Sequence, residues 1–132
     1  MAGYLSPLED RAAGRFYEEL EAGRFATTRC RDCDYTFFPP RILCPHCLGA
    51  GLEWVGLSGL GTLYAFSQQH GAILHRKPEV VGAVDLVDAE GRVFSLIDAP
   101  FDELQIGMRV EVSLFESPLG MTLHRFSPVR PS

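Results

Sequence analysis

Four cysteines carry the clearest chemistry in this chain. They form two tight pairs, Cys30-Arg31-Asp32-Cys33 and Cys44-Pro45-His46-Cys47, with ten residues between the pairs and no other cysteine in the sequence. Two knuckles at this spacing present four thiolates to one tetrahedral Zn²⁺, as in a zinc ribbon. All four positions are then filled by protein, so none is left for water or substrate, and the metal is structural. Iron accepts the same ligand set. Two disulfides would suit a secreted chain, but Met1-Ala2-Gly3-Tyr4 is not a basic region followed by an apolar run. A redox Cys-x-x-Cys site uses one pair beside a thioredoxin-like strand and helix, and here there are two pairs. His46, inside the second knuckle, reads as a bystander, with Cys3His as the alternative ligand set. Arg29, Arg31 and Arg41 flank the cysteines. They can offset the net negative charge of a zinc tetrathiolate, and a phosphate-binding patch is the sharper reading of the same residues.

An independent active site is not legible. No serine occupies a nucleophile elbow, and every cysteine is committed to the metal. His46, His70, His75 and His124 form no metal pair at helical spacing. His70 and His75 bracket a loop, and His124, alternating with Leu123, is expected to be exposed. Asp85, Asp88 and Asp98 read as turn and hairpin residues. Gly56-Leu57-Ser58-Gly59-Leu60-Gly61 has neither the lysine of a P-loop nor a βαβ setting.

The elements that must position the cysteines follow from pattern. At 132 residues the chain is one ordinary domain, or a small core plus a metal module. An apolar content of 46% excludes wholesale disorder. The formal charge of −5, which a zinc tetrathiolate would take to −7, disfavours general nucleic-acid binding. No apolar run reaches membrane-spanning length, and the expected location is cytoplasmic. Ser6-Pro7-Leu8-Glu9 is a capping box that opens a helix over about 7–22, with Leu8, Ala12, Phe16 and Leu20 on one stripe and Gly23 as its cap. Residues 25–56 read as the metal module, with strands at 24–29, 35–38 and 52–55 and Trp54 as a packing anchor. Some thirty residues bury too little apolar surface alone, so the metal must supply much of their folding free energy. Residues 57–132 alternate as strands at 61–69, 80–87, 92–97, 109–115 and 121–126, broken by glycine turns. Leu63, Ala65 and Ser67 should face one way on the first of these, and Tyr64, Phe66 and Gln68 the other. The fold class is mainly β: an N-terminal helix (1–24), a zinc ribbon (25–56) and a five-stranded OB-fold barrel (57–132).

These parts in this order resemble the DUF35 family, which joins a rubredoxin-like zinc ribbon to an OB-fold. The resemblance rests on Phe16-Tyr17-Glu18-Glu19-Leu20, the two cysteine pairs, Phe38-Pro39-Pro40-Arg41, Gly61-Thr62-Leu63-Tyr64, Ile106-Gly107-Met108-Arg109-Val110 and Phe126-Ser127-Pro128. It covers nearly the whole chain, and the ribbon with its Phe-Pro-Pro-Arg link is its most specific part. It implies a non-catalytic accessory subunit of a thiolase-like enzyme (acyltransferase, thiolase or aldolase) acting on acyl-CoA thioesters, helping to form the interface and the CoA channel. A MaoC-like enoyl-CoA hydratase is another partner it allows. Some family members lack the metal ligands; this chain has all four. CoA would need cations for its phosphates, and the candidates are Arg41, Arg76 and Lys77. Interface candidates are Phe16, Tyr17, Phe37 and Phe38. The rivals are a stand-alone acyl-CoA-binding module and a nucleic-acid-binding OB-fold, for which Arg92, Arg109 and Arg125 are the scattered cations of the strands.

Overall fold

The computed structural model describes residues 11–69 and 79–129. The helix α1 runs Arg11–Glu21 and turns Ala12, Phe16 and Leu20 inward at four-residue spacing. It ends in a Schellman cap. Gly23 adopts φ +85° and its N–H donates to Leu20 O at 2.9 Å, while Arg24 N–H donates to Glu19 O at 2.8 Å. Residues 7–10 of the expected helix lie outside the described residues.

The metal module is a three-stranded antiparallel sheet, β1 (Ala26–Cys30), β2 (Thr36–Phe37) and β3 (Leu52–Gly56), in the order β2-β1-β3. The strands β4 (Leu60–Gln69), β5 (Glu79–Leu86), β6 (Arg92–Ile97), β7 (Arg109–Glu116) and β8 (Thr122–Pro128) close a barrel in the order β4-β5-β6-β8-β7. All its pairings are antiparallel except β6 with β8. That single parallel pairing in a five-stranded closed barrel is OB-fold topology. Gly91 and Gly120 take positive φ at the turns before β6 and β8.

The face alternation expected of β4 breaks at a bulge. Leu63 pairs with Val84 and Ala65 with Ala83, so Tyr64 is the extra residue. Phe66 therefore packs against the core on the same side as Leu63, and Tyr64 turns outward.

One core runs through all three parts. Phe16 and Leu20 of α1 and Phe25 of the ribbon join Leu63, Val84, Val93, Val110 and Phe126 of the barrel. The ribbon is also joined to the barrel through backbone. Phe38 N–H donates to Glu90 O at 2.7 Å and Glu90 N–H donates to Thr36 O at 2.9 Å. A second, smaller cluster holds Cys30, Cys44 and Phe37, with Tyr35 and Leu52 packed on it.

Candidate functional site

The two cysteine knuckles are built alike. In each, the first cysteine's N–H donates to a carbonyl five residues on: Cys30 to Tyr35 O at 2.8 Å and Cys44 to Gly49 O at 2.9 Å. The residue after the second cysteine donates back to the first: Asp34 to Cys30 O at 2.9 Å and Leu48 to Cys44 O at 2.8 Å. Those two residues take left-handed φ, 61° at Asp34 and 63° at Leu48, which bends each loop tightly enough to aim both of its sulfurs one way. Asp34 tolerates this conformation; Leu48 is held in it against its side chain.

The four sulfurs converge within 4.8 Å of one another. Cys30 Sγ lies 3.6 Å from Cys47 Sγ, and Cys33 Sγ lies 3.7 Å from Cys44 Sγ. A tetrahedron with metal–sulfur bonds of about 2.3 Å has edges of about 3.8 Å, so these spacings fit a tetrathiolate ion. The local donors fit as well. Cys44 Sγ accepts the His46 and Cys47 N–H groups at 3.3 and 3.5 Å. Tyr35 and Gly49 amides serve Cys33 and Cys47. Burial acts to raise the Cys44 thiol, but the amides of Cys47 and His46 outweigh it and bring it down to about 7. Burial first, then the Cys30 and Cys44 thiols, push Cys33 up to about 12. A metal ion takes cysteines as thiolates, so its binding here would release protons from the cluster.

The other expected site residues fall in different places. His46 stacks on Tyr35 at 5.2 Å and stands outside the sulfur cluster. Arg29 is held by Glu53 at 2.6 Å and by Asp34, which removes it from any phosphate patch. Arg31 reaches Leu52 O at 3.4 Å. Arg41 is exposed, with its own N–H on Thr28 Oγ1 at 3.2 Å. Arg76, Lys77, His70 and His75 lie outside the described residues. Asp85 is a hairpin residue as expected: it sits in β5 opposite Arg92 of β6, whose Nε donates to it at 2.7 Å.

The aromatic interface candidates are corrected in the main. Phe16 and Phe37 are core residues, exposed by only 7% and 3%, and Phe38 is half-buried; Tyr17 alone of the four is exposed. Phe16 makes edge-to-face contacts with Tyr17, Phe25, Phe38 and His124 at 5.5–6.1 Å. His124 is likewise not exposed. Its ring sits between Phe16, Phe25 and Phe126, with Nδ1 2.8 Å from Ser95 Oγ, and burial lowers its pKa. The pleat predicts an outward His124, but the helix and the ribbon cover that face of β8.

The helix, the Phe38–Ile42 link and β6 enclose a groove of about 730 Å³ beside the ribbon, with Phe38, Phe94 and His124 among its walls and Arg41 at its edge. Among the described residues no helix is long and apolar enough to cross a membrane.

Known proteins place this architecture. Residues 18–53 match the model described as "ChsH2, rubredoxin-like zinc ribbon domain", and residues 54–115 match "ChsH2, C-terminal OB-fold domain". A "DUF35 domain-containing scaffold protein" of Methanocaldococcus jannaschii is 31% identical over 63% of this chain and 62% of its own length. The alignment therefore spans less than two thirds of that relative. One of the same description from Methanothermobacter thermautotrophicus is 33% identical over 64% of this chain and 67% of its own. Among solved structures, a chain of the "Ltp2-ChsH2(DUF35) aldolase" superposes with a TM-score of 0.80 at 27% identity, covering 90% of this chain and 94% of that one. A Sulfolobus solfataricus protein of unknown function from the DUF35 family shares the fold, with a TM-score of 0.67 at 16% identity over 97% of this chain and 90% of its own. On its ribbon, its barrel and these relatives, the chain belongs to the DUF35 family.

Proposed function

We propose that this chain is a non-catalytic, zinc-binding accessory subunit that assembles with a thiolase-like enzyme acting on acyl-CoA thioesters. The observation that carries the reading is the superposition on a chain of an aldolase complex over nearly the full length of both. The relatives described as scaffold proteins support it. So does the site itself: the four clustered sulfurs leave no open coordination position for substrate. Cys30, Cys33, Cys44 and Cys47 would hold the ion, and when bound it supplies cross-linking of two loops that have little apolar core of their own. Zinc is the ion the ribbon type favours.

The partner would supply the nucleophile. This chain would supply an interface and one wall of the CoA channel, with Arg41, Arg76 and Lys77 as its candidates for the anionic part of CoA. A nucleic-acid role has less support. Arg92 is held by Asp85 and lies 3.5 Å over the Tyr64 ring, and Arg125 lies 4.9 Å over Phe115. Arg92 is thus engaged, and Arg109 and Arg125, the two other barrel-strand cations, are too few for a basic footprint.

Affinity purification of the tagged chain from its native host, with mass spectrometry of what accompanies it, tests the proposal. A thiolase-fold protein in fixed stoichiometry is expected. A hydratase would keep the acyl-CoA substrate and change the reaction. Recovery of the chain alone, binding CoA by itself, would replace the accessory role with a stand-alone binding module.

A further inference from the structure

The groove beside the ribbon has properties that packing alone does not require. Its rim exposes large apolar side chains: Phe94 is 80% exposed, Ile42 62% and Tyr17 41%. Phe94 is outward because Val93 and Ser95, on either side of it in β6, are turned inward and buried. The same Phe94 lines a second concavity of about 560 Å³ over Ala65, Val81, Ala83 and Leu96, whose lining contains no ionisable residue among the described residues. The apolar surface therefore runs from the helix across the outer face of β6 to β5 and β4. Exposed apolar surface of that extent marks an interaction site.

Charge narrows the occupant. The chain carries −5 overall, yet among the described residues the groove is lined by Arg41, Arg92 and His124 and by no carboxylate. Arg92 is taken by Asp85 and Tyr64, and His124 Nδ1 by Ser95. The Arg41 guanidinium has no acceptor among the described residues. One open cation among the described residues, beside an apolar strip, suits one carboxylate. It does not suit a diphosphate, a nucleic acid or an anionic membrane, each of which takes several cations. The walls are fixed in advance, since Pro39 and Pro40 stiffen the link and the Phe38–Glu90 hydrogen bond ties it to the barrel. A rigid seat lowers the ordering cost of binding.

We propose that this surface seats an extended segment of the partner enzyme, with apolar side chains along Phe94 and a carboxylate on Arg41. The inference deepens the accessory-subunit reading and rests on it. It gives Arg41 a partner carboxylate in place of a CoA phosphate.

The test uses the metal-loaded full chain carrying the photo-crosslinker benzoylphenylalanine at position 94, in complex with the protein recovered from the host. Irradiation and digestion should yield a cross-linked peptide of the thiolase-fold partner that contains apolar residues with Asp or Glu within a few positions. Phe94→Asp and Arg41→Glu should each weaken the complex by roughly thirtyfold, as at interface hot spots, and Leu119→Asp, on the exposed turn before β8, should leave it unchanged. Replacing the identified partner carboxylate with arginine should restore binding to the Arg41→Glu chain. Full affinity in both variants, a cross-linked segment without a carboxylate, or displacement of the partner by free CoA would overturn the groove assignment while the accessory role stands. Absence of any thiolase-fold protein from the complex would overturn the accessory role first.

Discussion

Adding one methyl group at Gly91 tests the joint that holds the ribbon on the barrel. Gly91 adopts φ +121°, where L side chains are strained, and a Cβ there would lie 2.0 Å from the Phe38 carbonyl oxygen. That oxygen is backbone and cannot rotate away. Gly91→Ala thus carries a conformational cost of about 1–3 kcal/mol. Relieving the overlap also moves the Thr36–Phe38 segment off Glu90, which breaks the 2.7 Å and 2.9 Å backbone hydrogen bonds. Each is worth about 1 kcal/mol net. The expected total is about 3–5 kcal/mol, or some ten to twenty degrees in Tm for a chain of this size. Gly107 provides the control. It also has positive φ, +93°, but a Cβ there meets nothing within 4 Å, so Gly107→Ala should cost only about 1–2 kcal/mol. Urea unfolding of the metal-loaded variants measures both. Equal losses in the two variants would refute the reasoning, because they would mean that the overlap with Phe38 has no energetic consequence.

Three further outcomes follow from the same structure. Stripping the metal with a chelator should disperse amide exchange protection across residues 26–56 while the barrel strands stay protected, since Leu63, Val84, Val110 and Phe126 form a core without the cysteines; loss of protection in the barrel at the same chelator concentration would contradict this. Glu19 is buried and bonded to Arg24 at 2.6 Å and Arg15 at 3.0 Å, and these partners hold its pKa at about 2. Its stabilising contribution is therefore present above the ordinary carboxylate range and is lost as pH falls towards 2, so Glu19→Gln should cost about 1–2 kcal/mol at neutral pH, both arginines being half-exposed, with the gap to wild type closing in acid. Burial lowers the pKa of His124, so the unfolded chain takes up that proton first and stability should fall as pH drops below about 6.5; comparing the urea midpoints of wild type and His124→Gln at about pH 7.5 and about pH 5.5 isolates this slope from that of the metal.

Much of the fold is written in short-range pattern. The cysteine spacing, the glycines at 23, 107 and 120, and the alternation of β6 each act through neighbouring residues, so one sequence suffices to read them. What the sequence conceals depends on which parts meet. Phe16, Phe37 and Phe38 look like interface anchors on the chain, but Phe16 joins the apolar interior shared by helix, ribbon and barrel, Phe38 packs half-buried against it, and Phe37 belongs to the cluster around the cysteines. His124 is buried by elements a hundred residues away in sequence. Tyr64 and Phe66, expected on one face, part to opposite faces across a bulge with no distinctive local composition. Phe94 is the informative miss: Val93, Ser95 and Ile97 facing inward already place it outside, and a large aromatic on the exposed side of a strand was the available signal for the groove.

The central claim is that this chain completes an enzyme and does not catalyse alone. Steady-state turnover of an acyl-CoA substrate by the recovered partner, titrated with the metal-loaded chain, tests it most directly. The account predicts no turnover by the chain alone and a partner rate that rises and saturates at a fixed molar ratio. Turnover by the isolated chain, or a partner rate indifferent to its addition, would contradict it.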